Sequence, residues 1–174
     1  KGTIYEHMLV QNLAAFFNVG EHNICRLEGA DWNDGLDMAP HRGESVAFSV
    51  FYAWNLERLA QAAERLATQG NTHVYLAREL VMLLDRLPGS QRVNYGSVEA
   101  KQYRLHEYLN VVSKDVTGHK MAVRVDELIK DLRAKSRDLS ARIQKQEWVS
   151  GGRGLAFFNG YYDDNGRRVE GRGR

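Results

Sequence analysis

This sequence has little that would indicate a membrane protein, a nucleic-acid-binding protein or a disulfide-stabilised fold. It contains no long apolar run, so neither a transmembrane helix nor a signal peptide is predicted. The formal net charge of +2 is too small to favour nucleic acid or an anionic membrane as a partner. The single cysteine, Cys25, cannot form an intrachain disulfide and offers no metal-ligand spacing. These features favour a reducing compartment, and we expect a cytoplasmic protein with Cys25 as a small buried side chain.

The composition is that of a globular domain. The 174 residues are 43% hydrophobic and 26% charged, enough to build one core. No internal repeat and no boundary to a second domain is visible. The chain begins at Lys1 instead of methionine, and we therefore expect it to be a fragment of a longer protein.

Helical periodicity dominates the pattern. Helices are predicted at about residues 4–17, 44–69, 74–87, 98–112 and 123–148, with breaks near Pro40, Gly70, Pro88 and Gly118. Thr3 and Glu6 have the spacing of a capping box at the first helix start. Glu44 is expected in the acidic first turn of the second helix, where the helix dipole favours negative charge.

Each predicted helix has an apolar stripe that we interpret as core. In order along the chain, the stripes are Tyr5, Leu9, Leu13, Phe16 and Phe17; Phe48, Phe51, Trp54, Leu59 and Leu66; Ala77, Leu80, Val81 and Leu84; Leu105, Leu109 and Val112; and Val125, Leu128, Ile129, Leu132, Leu139 and Ile143. The alternating charges of the last helix are typical of a solvated face. His7 is predicted to be a hydrogen-bonded histidine in the core or in a groove.

The segment Asp31–Asp37 fits neither helical nor strand periodicity, because it places acids and Trp32 on every face. Asp, Asn and Gly favour turns, so we predict a loop carried by the helices. An acidic surface turn with a half-buried tryptophan is one interpretation. A calcium loop fits poorly, since Gly35 is fifth from Asp31 and Arg42 stands where a glutamate is needed. Sugar chemistry is the third interpretation, because a carboxylic acid can protonate a glycosidic oxygen beside an aromatic sugar platform.

Two glycine-containing stretches near the end carry less information. Gly151–Gly154 lacks the Lys-Ser or Lys-Thr of a phosphate loop and the third glycine of a dinucleotide site, so a connector is predicted. Asp163–Gly166 is typical of a tight turn between two short strands. The arginine- and glycine-rich tail after it is expected to fray.

Several stretches together resemble a known family. Ala30–Gly35 followed by Arg42–Val46 is similar to the catalytic-acid loop of the glycoside hydrolase family 94 phosphorylases, the relatives of cellobiose, cellodextrin and β-1,2-oligoglucan phosphorylases. Thr3–His7 and Phe158–Asp163 are similar in kind and order. The family usually continues with Met-Asn after the loop glycine, whereas this chain has Leu36-Asp37-Met38, a difference that leans towards the β-1,2-oligoglucan branch.

The resemblance implies an all-α fold that is part of an (α/α)6 barrel, with the site on irregular loops at one end. It implies that Asp34 is the general acid, that Trp32 lines the sugar site, and that Asp31 and Asn33 orient the loop or contact hydroxyl groups. About five helices cannot close such a barrel, so the chain alone is expected to be inactive. No metal ion and no cofactor are expected.

The implied reaction is inverting phosphorolysis of a β-linked gluco-oligosaccharide to α-glucose 1-phosphate. Inorganic phosphate is the co-substrate and the nucleophile, so no second carboxylate is needed. An inverting hydrolase would need one about 6.5–9.5 Å away to activate water, and Asp31 or Asp37 keeps that alternative open. A non-catalytic carbohydrate-binding helical piece is the third hypothesis. The expected partners are the oligosaccharide and phosphate, with a homodimer of the full-length enzyme also considered.

Overall fold

A computed structural model describes residues 2–27, 39–150 and 154–169. Within these residues the chain is predominantly helical, which confirms the predicted class, and short strands join the helices. The helices are α1 (Ile4–Phe17), α2 (Val46–Thr68), α3 (Arg78–Val81), α4 (Val98–Val112) and α5 (Val125–Gln146). The strands are β1 (Cys25–Arg26), β2 (Glu44–Ser45), β3 (His73–Ala77), β4 (Lys120–Arg124), β5 (Trp148–Ser150), β6 (Ala156–Phe158) and β7 (Tyr161–Tyr162).

Helix α1 forms as its sequence predicts. The Thr3 side chain accepts a hydrogen bond from the Glu6 amide, and the Glu6 carboxylate accepts one from the Thr3 amide, which is the predicted capping box. Glu6 also accepts from the Ala77 amide at 2.8 Å and from Lys120. One carboxylate thus links the start of α1 to β3 and β4. His7 is exposed and lines a groove with Thr3 and Val10, so of its two predicted places the core was wrong and the groove is confirmed.

The core lies mainly between α2 and α5, with α1 and α4 packed beside them. The α5 stripe is confirmed: Leu128, Leu132, Leu139 and Ile143 are buried. The α2 stripe was wrong for Trp54 and Phe51, which are 60% and 52% exposed, and only Leu59 of its five members is buried. The buried face of α2 instead carries Val46, Ser49, Ala53, Leu56, Leu59, Ala60 and Ala63. Small side chains on that face allow the α2 and α5 backbones to approach closely, and Ser136 of α5 donates to the Ala53 carbonyl at 2.7 Å.

The prediction of a helix at residues 74–87 was wrong. Residues 73–77 form β3, which pairs antiparallel with β4 from His73 opposite Arg124 to Ala77 opposite Lys120. Only the four residues of α3 are helical, and turns follow. The same pairing starts α5 at Val125, two residues later than predicted, and Trp148 belongs to β5.

The bounds of α4 are as predicted, but its inward face is different. Leu109 is 49% exposed, and Leu105 and Val112 are half-buried. Lys101 and Tyr108 are the buried residues of this helix. The Lys101 ammonium lies 4.2 Å from the centre of the Phe16 ring and 3.5 Å from the Asp138 carboxylate. Burial therefore lowers the pKa of Lys101 to about 8.

Charged residues of α5 are also part of the core, contrary to the predicted solvated face. Lys135 is fully buried and lies 2.6 Å from carboxylate oxygens of both Asp85 and Asp131. Burial raises the pKa of Asp131, whereas Lys135 and the Tyr95 hydroxyl outweigh burial at Asp85 and lower its pKa. This ion cluster joins α5 to the turns that follow α3.

Strands β1, β2 and β7 form a small antiparallel sheet with β2 in the centre, and β5 pairs with β6. The predicted turn is confirmed: the Gly166 amide donates to the Asp163 carbonyl, and Tyr162 pairs with Arg168 beyond it. Cys25 is buried, as expected. Among the helices described, none has the length and apolar character needed to cross a membrane.

Candidate functional site

The predicted catalytic and substrate-binding residues Asp31, Trp32, Asn33 and Asp34 lie outside the described residues, as does Asp37. Residues 151–153 of the predicted connector and the end of the tail also lie outside them. The site is therefore described from the two segments that flank residues 28–38. These segments end at Leu27 on one side and begin again at Ala39 on the other, and both side chains are buried.

The two flanks are joined through Gly43. The Leu27 amide donates to the Gly43 carbonyl at 2.8 Å, next to the pairing of Arg26 with Glu44 in the sheet. Gly43 also approaches Ala39 so closely that a Cβ there would lie 2.5 Å from the Ala39 carbonyl oxygen. Only glycine fits this position without displacing backbone. The ends of both flanks are thus fixed at one place in the fold.

A second set of contacts comes from the turn near the end of the chain. Asp164 accepts hydrogen bonds from the backbone amides of Arg42 at 2.7 Å and His41 at 3.1 Å. The Arg26 guanidinium donates to the His41 carbonyl at 3.2 Å, and Arg42 pairs with Glu21 at 2.5 Å. The turn therefore holds the flank that precedes β2.

Glu44 is the buried acid at the centre of these contacts. Its carboxylate accepts from the amides of His22 and Ile24, and it lies 2.5 Å from His22 Nδ1. The His22 ring stacks on Tyr162 with ring centres 3.7 Å apart. Burial raises the pKa of the Glu44 carboxyl, although the hydrogen bond from His22 opposes the shift. Glu44 lies in β2, before the N-cap Ser45, so its predicted place in the first helical turn was wrong.

A second buried acid, Glu147, holds the other side of β7. Its carboxylate accepts hydrogen bonds from the Tyr162 hydroxyl at 2.9 Å and from the side-chain amide of Asn159 at 3.2 Å. Arg168 lies 3.9 Å away. Tyr162 thus connects the two acids: its hydroxyl donates to Glu147, and its ring face stacks on His22, which contacts Glu44.

The structure brings together two of the three stretches that resemble the phosphorylase family. Phe158–Asp163 and the segment after residue 38 meet in the β1–β2–β7 sheet. Thr3–His7 does not join them, because it lies at the start of α1, about 15–21 Å along the helix axis from the end beside β1. Sequence reasoning missed His22, Glu147 and Asp164 as anchors. It named Glu44 but gave it a different role.

The described contacts around residues 28–38 have a structural role. No group of three metal-ligating side chains occurs in the described ranges. Both buried acids are fully engaged by donors, which holds them in place. These contacts fix the two described segments that flank residues 28–38.

The first part of the chain is similar to known proteins. Residues 1–83 match the sequence model of the glycosyl hydrolase 94 superfamily, catalytic domain. The chain is also 33% identical over 97 residues, 53% of its length, to a solabiose phosphorylase of Paenibacillus borealis. It spans only 12% of the length of that relative.

The matched region includes the acidic segment with its flanks and every element from α1 to α3. The second half of the chain lies outside the family match but supplies Asp164 and Glu147 to the same support. Over its first 83 residues, this chain is therefore similar to the glycosyl hydrolase 94 superfamily catalytic domain.

Proposed function

We propose that this chain carries the general acid of an inverting glycoside phosphorylase that acts on a β-linked gluco-oligosaccharide. Asp34 protonates the departing glycosidic oxygen, and Trp32, Asp31 and Asn33 contact the sugar. The observation that carries this proposal is the Asp31–Gly35 run inside the region matched to the family's catalytic domain. The phosphorylase relative adds support for the type of reaction.

In the proposed reaction, inorganic phosphate attacks the anomeric carbon from the face opposite the leaving group. The bond to the leaving oxygen breaks as the proton of Asp34 moves to that oxygen. The product is α-glucose 1-phosphate, with inverted configuration. Because phosphate brings its own negative oxygen as nucleophile, one carboxylic acid is sufficient, whereas an inverting hydrolase needs a second as base.

The anchoring of the flanks supports this role on physical grounds. A general acid contributes about 10²–10⁴ in rate only when it lies within hydrogen-bond reach of the atom that it protonates. Gly43 and Asp164 fix the flanks of the acidic segment by backbone contacts. The buried Glu44 fixes the strand that follows. Such a support restricts where the segment begins and ends without taking part in the chemistry.

The size of the chain leads to further proposals. A chain that spans 12% of its relative's length would, by itself, lack residues that bind phosphate, and we propose that it is inactive alone. We also propose that residues 1–174 form a single partial domain of an (α/α)6 barrel. A cytoplasmic location and a homodimer of the full-length enzyme complete the proposal.

The test uses the natural full-length protein with β-1,2- and β-1,4-linked gluco-oligosaccharides and solabiose, with and without inorganic phosphate. Phosphate-dependent release of a sugar 1-phosphate is expected. Free sugar released equally without phosphate would establish the hydrolase instead. No turnover of any of these sugars, with binding retained, would favour the non-catalytic carbohydrate-binding protein.

A further inference from the structure

Lys101 of α4 is a buried cation that the proposed reaction does not use. The residue is fully buried, and its Nζ has no hydrogen-bond partner among the described residues. The Asp138 carboxylate lies 3.5 Å away, but its side chain is 22% exposed. Asp138 also pairs with Arg142 at 3.1 Å. A buried ammonium group with a shared counter-ion and no hydrogen bond costs free energy, so the folded chain holds the proton of Lys101 unfavourably.

Lys135, in the same core, shows the effect of full pairing. The two ammonium groups lie 4.2 Å (Lys101) and 5.7 Å (Lys135) from the centre of the Phe16 ring. Burial alone would lower the pKa of Lys135, but two carboxylates at 2.6 Å outweigh burial and raise it. At Lys101 burial outweighs Asp138, and the positive charges of Arg142 and Lys135 add to burial. The pKa of Lys101 therefore falls from an ordinary 10.5 to about 8.

Helix α4 is attached to the core by few buried side chains. Tyr108 is the other buried residue of this helix. Tyr103 and Leu109 are 62% and 49% exposed. Elements with few buried apolar contacts are the ones that open locally at low cost in free energy. Opening of α4 exposes the Lys101 ammonium to water, where its pKa returns to the ordinary value.

A contact from α4 reaches the segment that leads into the acidic segment. Gln102 donates from Nε2 to the Val19 carbonyl at 2.8 Å. Val19 in turn pairs with Cys25, the first residue of β1. Leu27, whose amide is fixed by Gly43, ends this flank. The attachment of α4 therefore bears on residues 19–27.

We propose that α4 is a pH-sensitive clamp on residues 19–27, with Lys101 as the residue that titrates. While Lys101 carries its proton, α4 opens more readily, and each opening removes the Gln102 contact. Once the proton is lost, the neutral amine is tolerated among the aromatic rings, and α4 opens less often. The open helix binds the proton more tightly than the packed helix, so a rise in pH favours packing. This gain begins near pH 8 and is complete near pH 10.5, where the open helix also loses the proton.

Hydrogen exchange of the natural full-length protein at about pH 7 and about pH 9 tests the proposal, with each rate divided by that of an unfolded peptide at the same pH. Amides of α4 should be about tenfold more protected at the higher pH, the ratio that follows from pKa values of about 8 and 10.5. Lys101→Met keeps an unbranched apolar stem without a titrating group. Its α4 should be equally protected at both pH values, and more protected than the wild type at pH 7.

Lys114→Met is the matched control, because Lys114 is exposed in the turn after α4, and it should keep the tenfold difference. Asp138→Asn removes the carboxylate that favours the proton and should enlarge the difference beyond tenfold. Residues 19–27 should change in the same direction as α4 in the wild type. Gln102→Leu should abolish that response and leave the response of α4 intact.

Three results would overturn the proposal. One is equal protection of α4 at both pH values in the wild type, and another is a difference that survives Lys101→Met. The third is weaker protection of α4 in Lys101→Met than in the wild type at pH 7, because the charged ammonium would then strengthen the attachment. A response of α4 without any response of residues 19–27 would overturn the link through Gln102. These outcomes do not depend on whether the protein is a phosphorylase.

Discussion

Gly20 lies against the buried carboxylate of Glu44, so that a Cβ at Gly20 would stand 2.5 Å from Glu44 Cγ and 2.7 Å from Oε1. Glu44 cannot move aside, because it accepts hydrogen bonds from two backbone amides and contacts His22. The end of α1 and the strand β2 therefore meet at a contact that only glycine permits.

Replacing Gly20 with alanine is expected to lower the free energy of unfolding by about 1–3 kcal/mol, the usual cost of overpacking a filled site. Denaturant titration of the 174-residue chain would measure it. Gly2→Ala is the control, since a Cβ there would meet Glu6 Oε2 at an ordinary 3.5 Å. In a Glu44→Ala background the Gly20→Ala penalty should largely disappear. An undiminished penalty in the double variant would show that Glu44 is not the obstacle.

Glu6 is expected to make stability depend on acid pH. Burial alone would raise its pKa, but hydrogen bonds from Lys120, Thr3 and Ala77 outweigh burial and lower the pKa to about 2, against an ordinary 4.5. The ionised form is thus favoured in the folded state. The stabilisation, about 3 kcal/mol at most, is present above pH 4.5 and is lost as the pH falls towards 2.

Glu6→Gln should accordingly lower stability at neutral pH and flatten its dependence on pH between 4.5 and 2. Unfolding free energies at several pH values would measure both effects. Glu107→Gln, whose carboxylate is 38% exposed and lies 3.6 Å from Arg104, should change little. If the Glu6 variant kept the acid dependence of the parent chain, the stabilising role of its carboxylate would be wrong.

Lys135 neutralises two buried aspartates, and its removal leaves both without a cation. Lys135→Met should therefore destabilise the chain by about 3–5 kcal/mol, as expected when one member of a buried ion cluster is lost. Lys130→Met on the same helix is the control, because Lys130 is 63% exposed and should cost less than about 1 kcal/mol. Equal melting temperatures for the two variants would refute the stabilising role of the cluster.

Asp164 holds the amides of His41 and Arg42, so Asp164→Ala should speed hydrogen exchange at these two amides about tenfold or more. The contact is exposed, so the melting temperature should change little. The amide of Gly20, which donates to the Ile24 carbonyl, should exchange as before. Unchanged exchange at Arg42 would mean that Asp164 does not secure this flank in solution.

Local signals predicted the elements that depend on local interactions. The capping box set the start of α1, and the Asp163–Gly166 turn formed where Asx and Gly residues occur together. The helix predicted at 74–87 failed because Val74 and Ala77 pair with β4, more than 40 residues away. Apolar spacing could not show this, since partner strands decide the structure of short apolar runs.

The α2 stripe shows a second limit. Periodicity placed Phe51 and Trp54 on one side of the helix, but it could not tell which side α5 would cover. The candidate site shows the same difference between what a local motif predicts and what only the folded chain reveals. A motif identified Asp34 as the candidate acid, whereas the contact between Asp164 and Arg42 joins residues 122 positions apart. Nothing in the sequence around either residue predicts that contact.

The most direct test of the central claim is the rate of phosphorolysis by the full-length protein carrying Asp34→Asn, beside Asp37→Asn as the matched control. Loss of a general acid should lower kcat about 10²–10⁴-fold with a gluco-oligosaccharide. The deficit should shrink with an aryl glycoside, whose leaving group needs little protonation. Asp37→Asn should retain most of the activity. An Asp34→Asn variant as active as the wild type would contradict the assignment of Asp34 as the acid.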